Sequence, residues 1–195
     1  LAKLAGRPVT DDDLRKSIAV YNDNRRAIAE LYAARARQPW QVPTSELYLL
    51  LRAGCVLPPE DHTRLVREYV EAAEAVPRAR RDNARVVVTG VFCEQPPLGL
   101  IKTLERAGCY IVDDDFVQVH RWIEGDVSTA GSDPLGSLVT AYLDQAIQSP
   151  IRYIDCHRKG QALVDRVRRR AAEGVIFAAP SFCDPALLEQ PMSVT

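Results

Sequence analysis

Short β-branched segments alternate with helical segments after residue 85 of this chain, and this alternation constrains the fold more than any other feature. The predicted strands are residues 86–90, 109–112 and 175–179, with a weaker strand or extended link at 151–154. Apolar residues at helical spacing predict helices over 97–107, 138–147 and 159–172, and Asp184-Pro185 begins another. Strands that alternate with helices pair in parallel. The pattern therefore predicts an α/β, Rossmann-like domain with helices on both faces of a parallel sheet.

The first 80 residues carry helix signals only. Thr10 precedes three aspartates, which is an N-cap followed by an acidic first turn, and the helical pattern continues to about residue 37. Two further helices are predicted before Pro77, and the basic stretch 78–85 is predicted to be a solvated linker. We therefore predict a helical segment over residues 1–80 and a Rossmann-like domain over residues 85–195. The domain is expected to be truncated, because its sheet lacks final strands.

Composition excludes several classes of function. The chain of 195 residues has 25 basic and 26 acidic residues, a balance that gives no argument for nucleic-acid binding. No apolar run approaches the roughly 20 residues that span a bilayer, and no signal peptide is evident. The chain begins at Leu1, and we expect an internal piece of a longer protein. The five cysteines include no Cys-x-x-Cys pair, so zinc-ribbon and thioredoxin motifs are not supported. Because the number of cysteines is odd and no secretion signal is evident, we expect reduced thiols and a cytoplasmic location.

Three predicted loops lie at one edge of the sheet. Parallel strands connected by right-handed crossovers place their carboxyl ends together, and such edges bind ligands. Cys93 and Cys183 each stand between a strand and the start of a helix. A helix N-terminus stabilises a thiolate, a phosphate or an iron–sulfur cluster. A buried structural thiol stays the simpler interpretation of Cys93, whereas the position of Cys183 favours a functional role.

The loop after the second strand carries the remaining candidate groups. For Asp113, Asp114 and Asp115 a solvated loop or a cap is the simpler interpretation, and a metal, a ribose hydroxyl or a basic neighbour is the alternative. His120, Arg121 and Trp122 follow them. A histidine can transfer protons near neutral pH, an arginine pairs with phosphate, and a tryptophan offers a flat apolar wall. Ordinary packing or surface exposure is possible for each. No nucleophile elbow, Walker A, H-E-x-x-H or G-x-G-x-x-G motif is present.

Several segments together resemble the benzoyl-CoA reductase and 2-hydroxyacyl-CoA dehydratase family. The matching segments are 18–25, 51–58, 88–98, 104–108, 111–115, and 174–177 leading to Phe182-Cys183-Asp184-Pro185. The stretch 114–122 is more similar to the ring-reducing benzoyl-CoA reductases than to the dehydratases, which more often have Cys, Gly and Ser there.

The resemblance implies a catalytic subunit with two Rossmann-like domains and a [4Fe–4S] cluster between them. Cys183 matches the C-terminal cluster ligand, and the other ligands are expected upstream of this chain. No ligand role transfers to Cys93. The implied reaction is the reduction of benzoyl-CoA to a cyclohexadiene-carboxyl-CoA. His120 is the candidate catalytic proton donor, and Arg121 and Trp122 are candidate substrate contacts.

The same resemblance implies the partners. They are a homologous sister subunit, ferredoxin, the acyl-CoA substrate, and activator subunits that alone use ATP; neither nucleic acid nor a membrane is expected. Three other functions stay open: a 2-hydroxyacyl-CoA dehydratase component, a non-catalytic scaffold partner, and a metal-free nucleotide-sugar-type binding domain.

Overall fold

The computed structural model describes residues 2–90, 95–147 and 159–194. Its first helices are α1 (Ala2–Ala5), α2 (Asp11–Arg37), α3 (Thr44–Ala53) and α4 (Pro59–Ala75). The α/β part comprises β1 (Ala84–Thr89), α5 (Leu98–Arg106), β2 (Cys109–Asp114), a 3-10 helix (Gln118–Arg121), α6 (Pro134–Asp144), α7 (Lys159–Arg170), β3 (Gly174–Phe177) and α8 (Asp184–Val194). The strand predicted at 151–154 and Cys93 lie outside the described residues.

The three described strands form one parallel sheet in the order β2-β1-β3. This confirms the predicted α/β architecture, in which helices flank a parallel sheet. The chain leaves β1 towards β2 on one side and later returns to place β3 on the other side. The carboxyl ends of β1 and β3 therefore meet where the strand order reverses, which is the position where open α/β sheets bind ligands.

Local capping explains where two of the helices begin. The Thr10 hydroxyl accepts a hydrogen bond from the Asp13 N–H at 3.2 Å, and the Asp13 carboxylate accepts one from the Thr10 N–H at 3.0 Å. This capping box starts α2 at the predicted residue. Helix α6 begins four residues before its predicted start at 138, because the Asp133 carboxylate caps it by accepting from the Gly136 N–H at 2.7 Å.

One hydrophobic core joins the N-terminal helices to the sheet. It includes Leu31 of α2, Leu47 of α3, Val66 of α4, Val88 of β1 and Ile111 of β2, all almost fully buried. A smaller cluster packs the start of α2 against α6. The N-terminal helices thus cover a sheet face instead of forming a core of their own.

No helix in the described part of the chain is both long and apolar enough to cross a membrane.

Candidate functional site

A crevice of about 700 Å³ opens where the carboxyl ends of β1 and β3 meet. Pro96, Pro97 and Leu100 form its wall after β1. Phe182 and Cys183 form part of its wall after β3. We call it the Cys183 crevice. It lies at the edge of the sheet where the sequence predicts ligand binding.

The two loops that form the crevice touch each other at their first residues. Gly90 has a φ of +99°, and a Cβ on it would lie 3.1 Å from the backbone nitrogen of Ala179. The Ala178 N–H donates to the Thr89 carbonyl at 2.8 Å. Asp115 holds the same turn, because its carboxylate accepts from the Gly90 N–H at 2.6 Å and the Thr89 hydroxyl at 3.2 Å. A glycine is needed here for its backbone conformation and for the close approach.

The far end of the loop after β1 is also fixed. The Tyr48 hydroxyl donates to the Pro96 carbonyl at 2.7 Å, and the Gln95 side-chain oxygen accepts from the Val117 N–H at 2.9 Å. Val117 has a φ of +45°, which a β-branched residue rarely adopts. The crevice wall is therefore anchored to helix α3 and to the loop after β2.

Cys183 lies at the N-terminal end of α8, and the residue is only 8% exposed. Its N–H donates to the Pro180 carbonyl and its carbonyl accepts from the Leu187 N–H, both at 3.0 Å. Asp184 was predicted as the N-cap, but it is the first helical residue, so Cys183 occupies the cap position. The positive end of the helix favours negative charge on a group bound there.

Among the described residues, no three His, Cys, Asp or Glu side chains are grouped to hold a metal. The crevice offers one thiol, Cys183, among described residues that are mostly apolar. Such a site fits one corner of a thiolate-bound anionic cluster, whose other ligands have to come from outside the described residues.

The three consecutive aspartates are buried, so the prediction of a solvated loop was wrong. Asp113, Asp114 and Asp115 are each less than 5% exposed. The alternative prediction, that the aspartates pair with basic neighbours, is correct for Asp113 and Asp114. Asp113 accepts from Arg170 at 2.8 Å, and Asp114 pairs with Arg35 at 2.5 Å. Asp113 and Asp114 are the last residues of β2, and Asp115 follows the strand. Their carboxylates connect the sheet to surrounding elements.

Nearby charges shift the pKa values of Asp113 and Arg121. Burial alone raises the pKa of Asp113, but the guanidinium groups of Arg121, Arg166 and Arg35 outweigh it and lower the pKa to about 2. Burial alone lowers the pKa of Arg121, and the Tyr32 hydroxyl and the nearby carboxylates outweigh it, so that this pKa is raised. Both groups are therefore charged near neutral pH.

Arg121 is held inside this network. Its guanidinium carbon lies 3.9 Å from the centroid of the Tyr32 ring, and one Nη donates to the Asp114 carbonyl at 2.5 Å. A second Nη lies 3.5 Å from the Asp113 carboxylate. These contacts fix the loop after β2 and leave the guanidinium little freedom to follow a ligand.

His120 and Trp122 line a different pocket, of about 710 Å³, which we call the aromatic pocket. Tyr21, Cys55 and Tyr142 also line it. It shares no lining residue with the Cys183 crevice. The sequence predicted His120, Trp122 and Cys183 on one edge of the sheet, but the structure separates the first two from Cys183 because β2 and β3 lie on opposite sides of β1.

A contact between Cys55 and His120 was not predicted. Their Sγ and Nε2 atoms lie 3.6 Å apart although the residues are 65 positions apart. Cys55 follows helix α3 and His120 belongs to the 3-10 helix after β2. Only the packing of the N-terminal helices on the sheet brings them together, and no local signal in the sequence could have found the pair.

Comparison with known proteins places these features in a family. The model of the family described as 2-hydroxyglutaryl-CoA dehydratase, D-component, matches residues 1–194. A benzoyl-CoA reductase subunit of Thauera aromatica is 54% identical over 193 residues, 98% of this chain and 50% of the relative. The beta subunit of lactoyl-CoA dehydratase from Anaerotignum propionicum is 28% identical, and the beta subunit of (R)-phenyllactyl-CoA dehydratase from Clostridium sporogenes is 24% identical, again with 98% and 50% coverage.

The chain spans about half the length of the curated relatives it matches. The relatives are named as subunits, and they include both a reductase and dehydratases.

Proposed function

Because the chain belongs to the 2-hydroxyglutaryl-CoA dehydratase D-component family, we propose that it is part of a subunit of an enzyme acting on CoA thioesters. The proposed reaction is the ferredoxin-linked, ATP-dependent reduction of benzoyl-CoA to a cyclohexadiene-carboxyl-CoA. The 54% identity to a benzoyl-CoA reductase subunit favours reduction over dehydration, since the dehydratase subunits are only 24% and 28% identical.

The observation that carries this proposal is the placement of Cys183. Its thiol belongs to a helix N-terminus in a crevice at the point where the strand order reverses. We propose that Cys183 is one ligand of a [4Fe–4S] cluster. The other ligands would come from parts of the full-length protein that correspond to the other half of the relatives. When bound, the cluster would supply electrons at low potential.

The described residues contribute the surroundings of that cluster. The start of α8 would favour its negative charge, and Pro96 and Leu100 would exclude water from one side. Asp115 and Gly90 hold the two crevice loops together. Sister, activator and ferredoxin partners belong to the same proposal, and the ATP would be used by the activator.

Iron and acid-labile sulfide measured in the anaerobically purified complex test the ligand assignment. The variant Cys183→Ala is expected to lose this subunit's share of both. Cys109→Ala is the matched control, because Cys109 lies at the start of β2 away from the crevice. Unchanged metal content in Cys183→Ala would refute the assignment and favour a scaffold role.

A substrate assay separates the two enzyme classes. A reductase consumes electrons and ATP to reduce the ring, whereas a dehydratase removes water with no net consumption of electrons. Ring reduction supports the first proposal, and water loss from a 2-hydroxyacyl-CoA supports the alternative.

For His120 and Trp122 we propose contacts with the acyl group, His120 as a proton donor and Trp122 as an apolar wall. Arg121 was a candidate substrate contact as well. Its ion pairs and its contact with Tyr32 support a positioning role for it in the same loop. Unchanged turnover of His120→Gln in the intact complex would exclude the role of His120.

A further inference from the structure

The aromatic pocket contains a thiol next to a possible base. Cys55 is exposed, and its Sγ lies 3.6 Å from Nε2 of His120. Burial and the nearby His62 lower the pKa of His120 and outweigh a hydrogen bond with the Leu51 backbone, so the ring is neutral near pH 7 and can accept a proton. A thiol and a base within hydrogen-bond reach are the two parts of an activated nucleophile.

The walls of the pocket indicate what the thiol would meet. The rings of Trp122 and Tyr142 lie 5.6 Å apart, and Tyr142 is 58% exposed at the mouth of the pocket. The indole Nε1 of Trp122 is buried and has no hydrogen-bond partner among the described residues. Arg25, on the same wall, donates to the Gly125 carbonyl at 3.2 Å and to the Asn22 side-chain oxygen. The two rings suit a flat aromatic group.

We propose that Cys55 is a site of thiol–disulfide modification, activated by His120 and selective for aromatic disulfides. The Cys55 proton passes to the imidazole, and the thiolate attacks one sulfur of the disulfide. The S–S bond of the reagent breaks, and a mixed disulfide forms on Cys55. An aliphatic leaving thiolate takes the proton from the imidazolium, whereas an acidic aromatic thiolate leaves ionised and the imidazolium gives its proton to water. Cys55 is oxidised and the disulfide is reduced, so electrons and protons balance.

The thiolate, not the thiol, is the nucleophile, so a neighbouring base that removes the proton during attack can raise the rate by about tenfold or more.

The experiment uses 5,5′-dithiobis(2-nitrobenzoate) as the aromatic disulfide and 2-hydroxyethyl disulfide as the aliphatic one, on the intact native protein at pH 7. Each rate is divided by that of glutathione with the same reagent, and peptide mapping identifies the modified cysteine. Cys55 is expected to react at least about tenfold faster than glutathione with the aromatic reagent, and less so with the aliphatic one.

Variants separate the base from the binding walls. His120→Gln is expected to slow both reagents about tenfold, and Cys55→Ser to remove the fast phase. Tyr142→Ala changes an exposed side chain and is expected to slow only the aromatic reagent. If His120→Gln fails to fold, the Tyr142→Ala result and the mapping decide.

The proposal is overturned if Cys55 reacts no faster than glutathione, if folded His120→Gln reacts as fast as the parent, or if Tyr142→Ala slows both reagents equally. None of these measurements requires iron or CoA thioester turnover, so they stand whether or not the proposed function is correct.

Discussion

Replacing Asp114 by asparagine removes one charge from a fully buried ion pair. The side chains of Asp114 and Arg35 are both 0% exposed, and their closest atoms lie 2.5 Å apart. The other Asp114 oxygen accepts from the Tyr32 hydroxyl and from the Phe116 N–H, both at 2.9 Å. In Asp114→Asn the amide nitrogen replaces one of the two carboxylate oxygens, and in either place its N–H groups would face another donor. The Arg35 charge would then stay buried, where its Nε and one Nη already lack hydrogen-bond partners among the described residues.

The magnitude follows from this burial. Removing one partner of a buried ion pair costs about 3–5 kcal/mol, because the other charge is left uncompensated. The matched control is Asp23→Asn. Asp23 and its partner Arg67 are 42% and 45% exposed, and such pairs contribute about 0–1 kcal/mol.

Urea unfolding of both variants and the parent protein measures the difference. Asp114→Asn is expected to lower the free energy of unfolding by about 3–5 kcal/mol, while Asp23→Asn changes it by less than about 1 kcal/mol. Equal losses for the two variants would refute the argument that Arg35 and Asp114 hold α2 to the sheet.

Three further predictions concern the stability of the protein at low pH and the effects of replacing glycines. The pKa of Asp113 is about 2 in the folded protein and 3.8 for the free group, which corresponds to a stabilisation of about 2 kcal/mol. This stabilisation is complete above pH 4 and is lost as the pH falls towards 2. Acid unfolding of Asp113→Asn that matches that of the parent protein would contradict this. Gly54→Ala should destabilise by about 1–3 kcal/mol, because its Cβ would lie 2.5 Å from the His62 ring, whereas Gly99→Ala, with open space in α5, should stabilise by about 0.5–1 kcal/mol in thermal unfolding. Gly90→Ala should destabilise by more than about 1 kcal/mol and increase alkylation of thiols at the crevice, and unaltered melting would argue against the strained turn.

Local signals in the sequence predicted the helices and strands well. Thr10 and the acidic turn after it located the start of α2, and β-branched runs located β1 and β3. The start of α6 was missed although Asp133-Pro134 carries the same signal as Asp184-Pro185. The helices begin where side chains form hydrogen bonds to backbone groups a few residues away, so the local sequence is enough to predict these positions.

The partners of the candidate residues could not be predicted in this way. Asp114 is buried because Arg35, 79 positions earlier, is packed against it. His120 contacts Cys55 although the two residues are 65 positions apart in the sequence, and neither residue type predicts the presence of the other. Such pairs depend on how α2 and α3 lie on the sheet. Polarity alone therefore favoured exposure for the aspartates, and the common edge of parallel strands favoured a shared site for His120 and Cys183.

The core shared by the N-terminal helices and the sheet has a consequence for limited proteolysis. The segment between Ala75 and Ala84 is the chain's passage from α4 to β1, and much of it is exposed. A cut there would break the covalent connection but leave Leu31 and Val66 packed with Val88. The two fragments would stay together as a nicked, folded protein and separate only in denaturant. Equally, the two pieces made separately would each expose one side of the same core, and mixing them would restore the structure by fragment complementation.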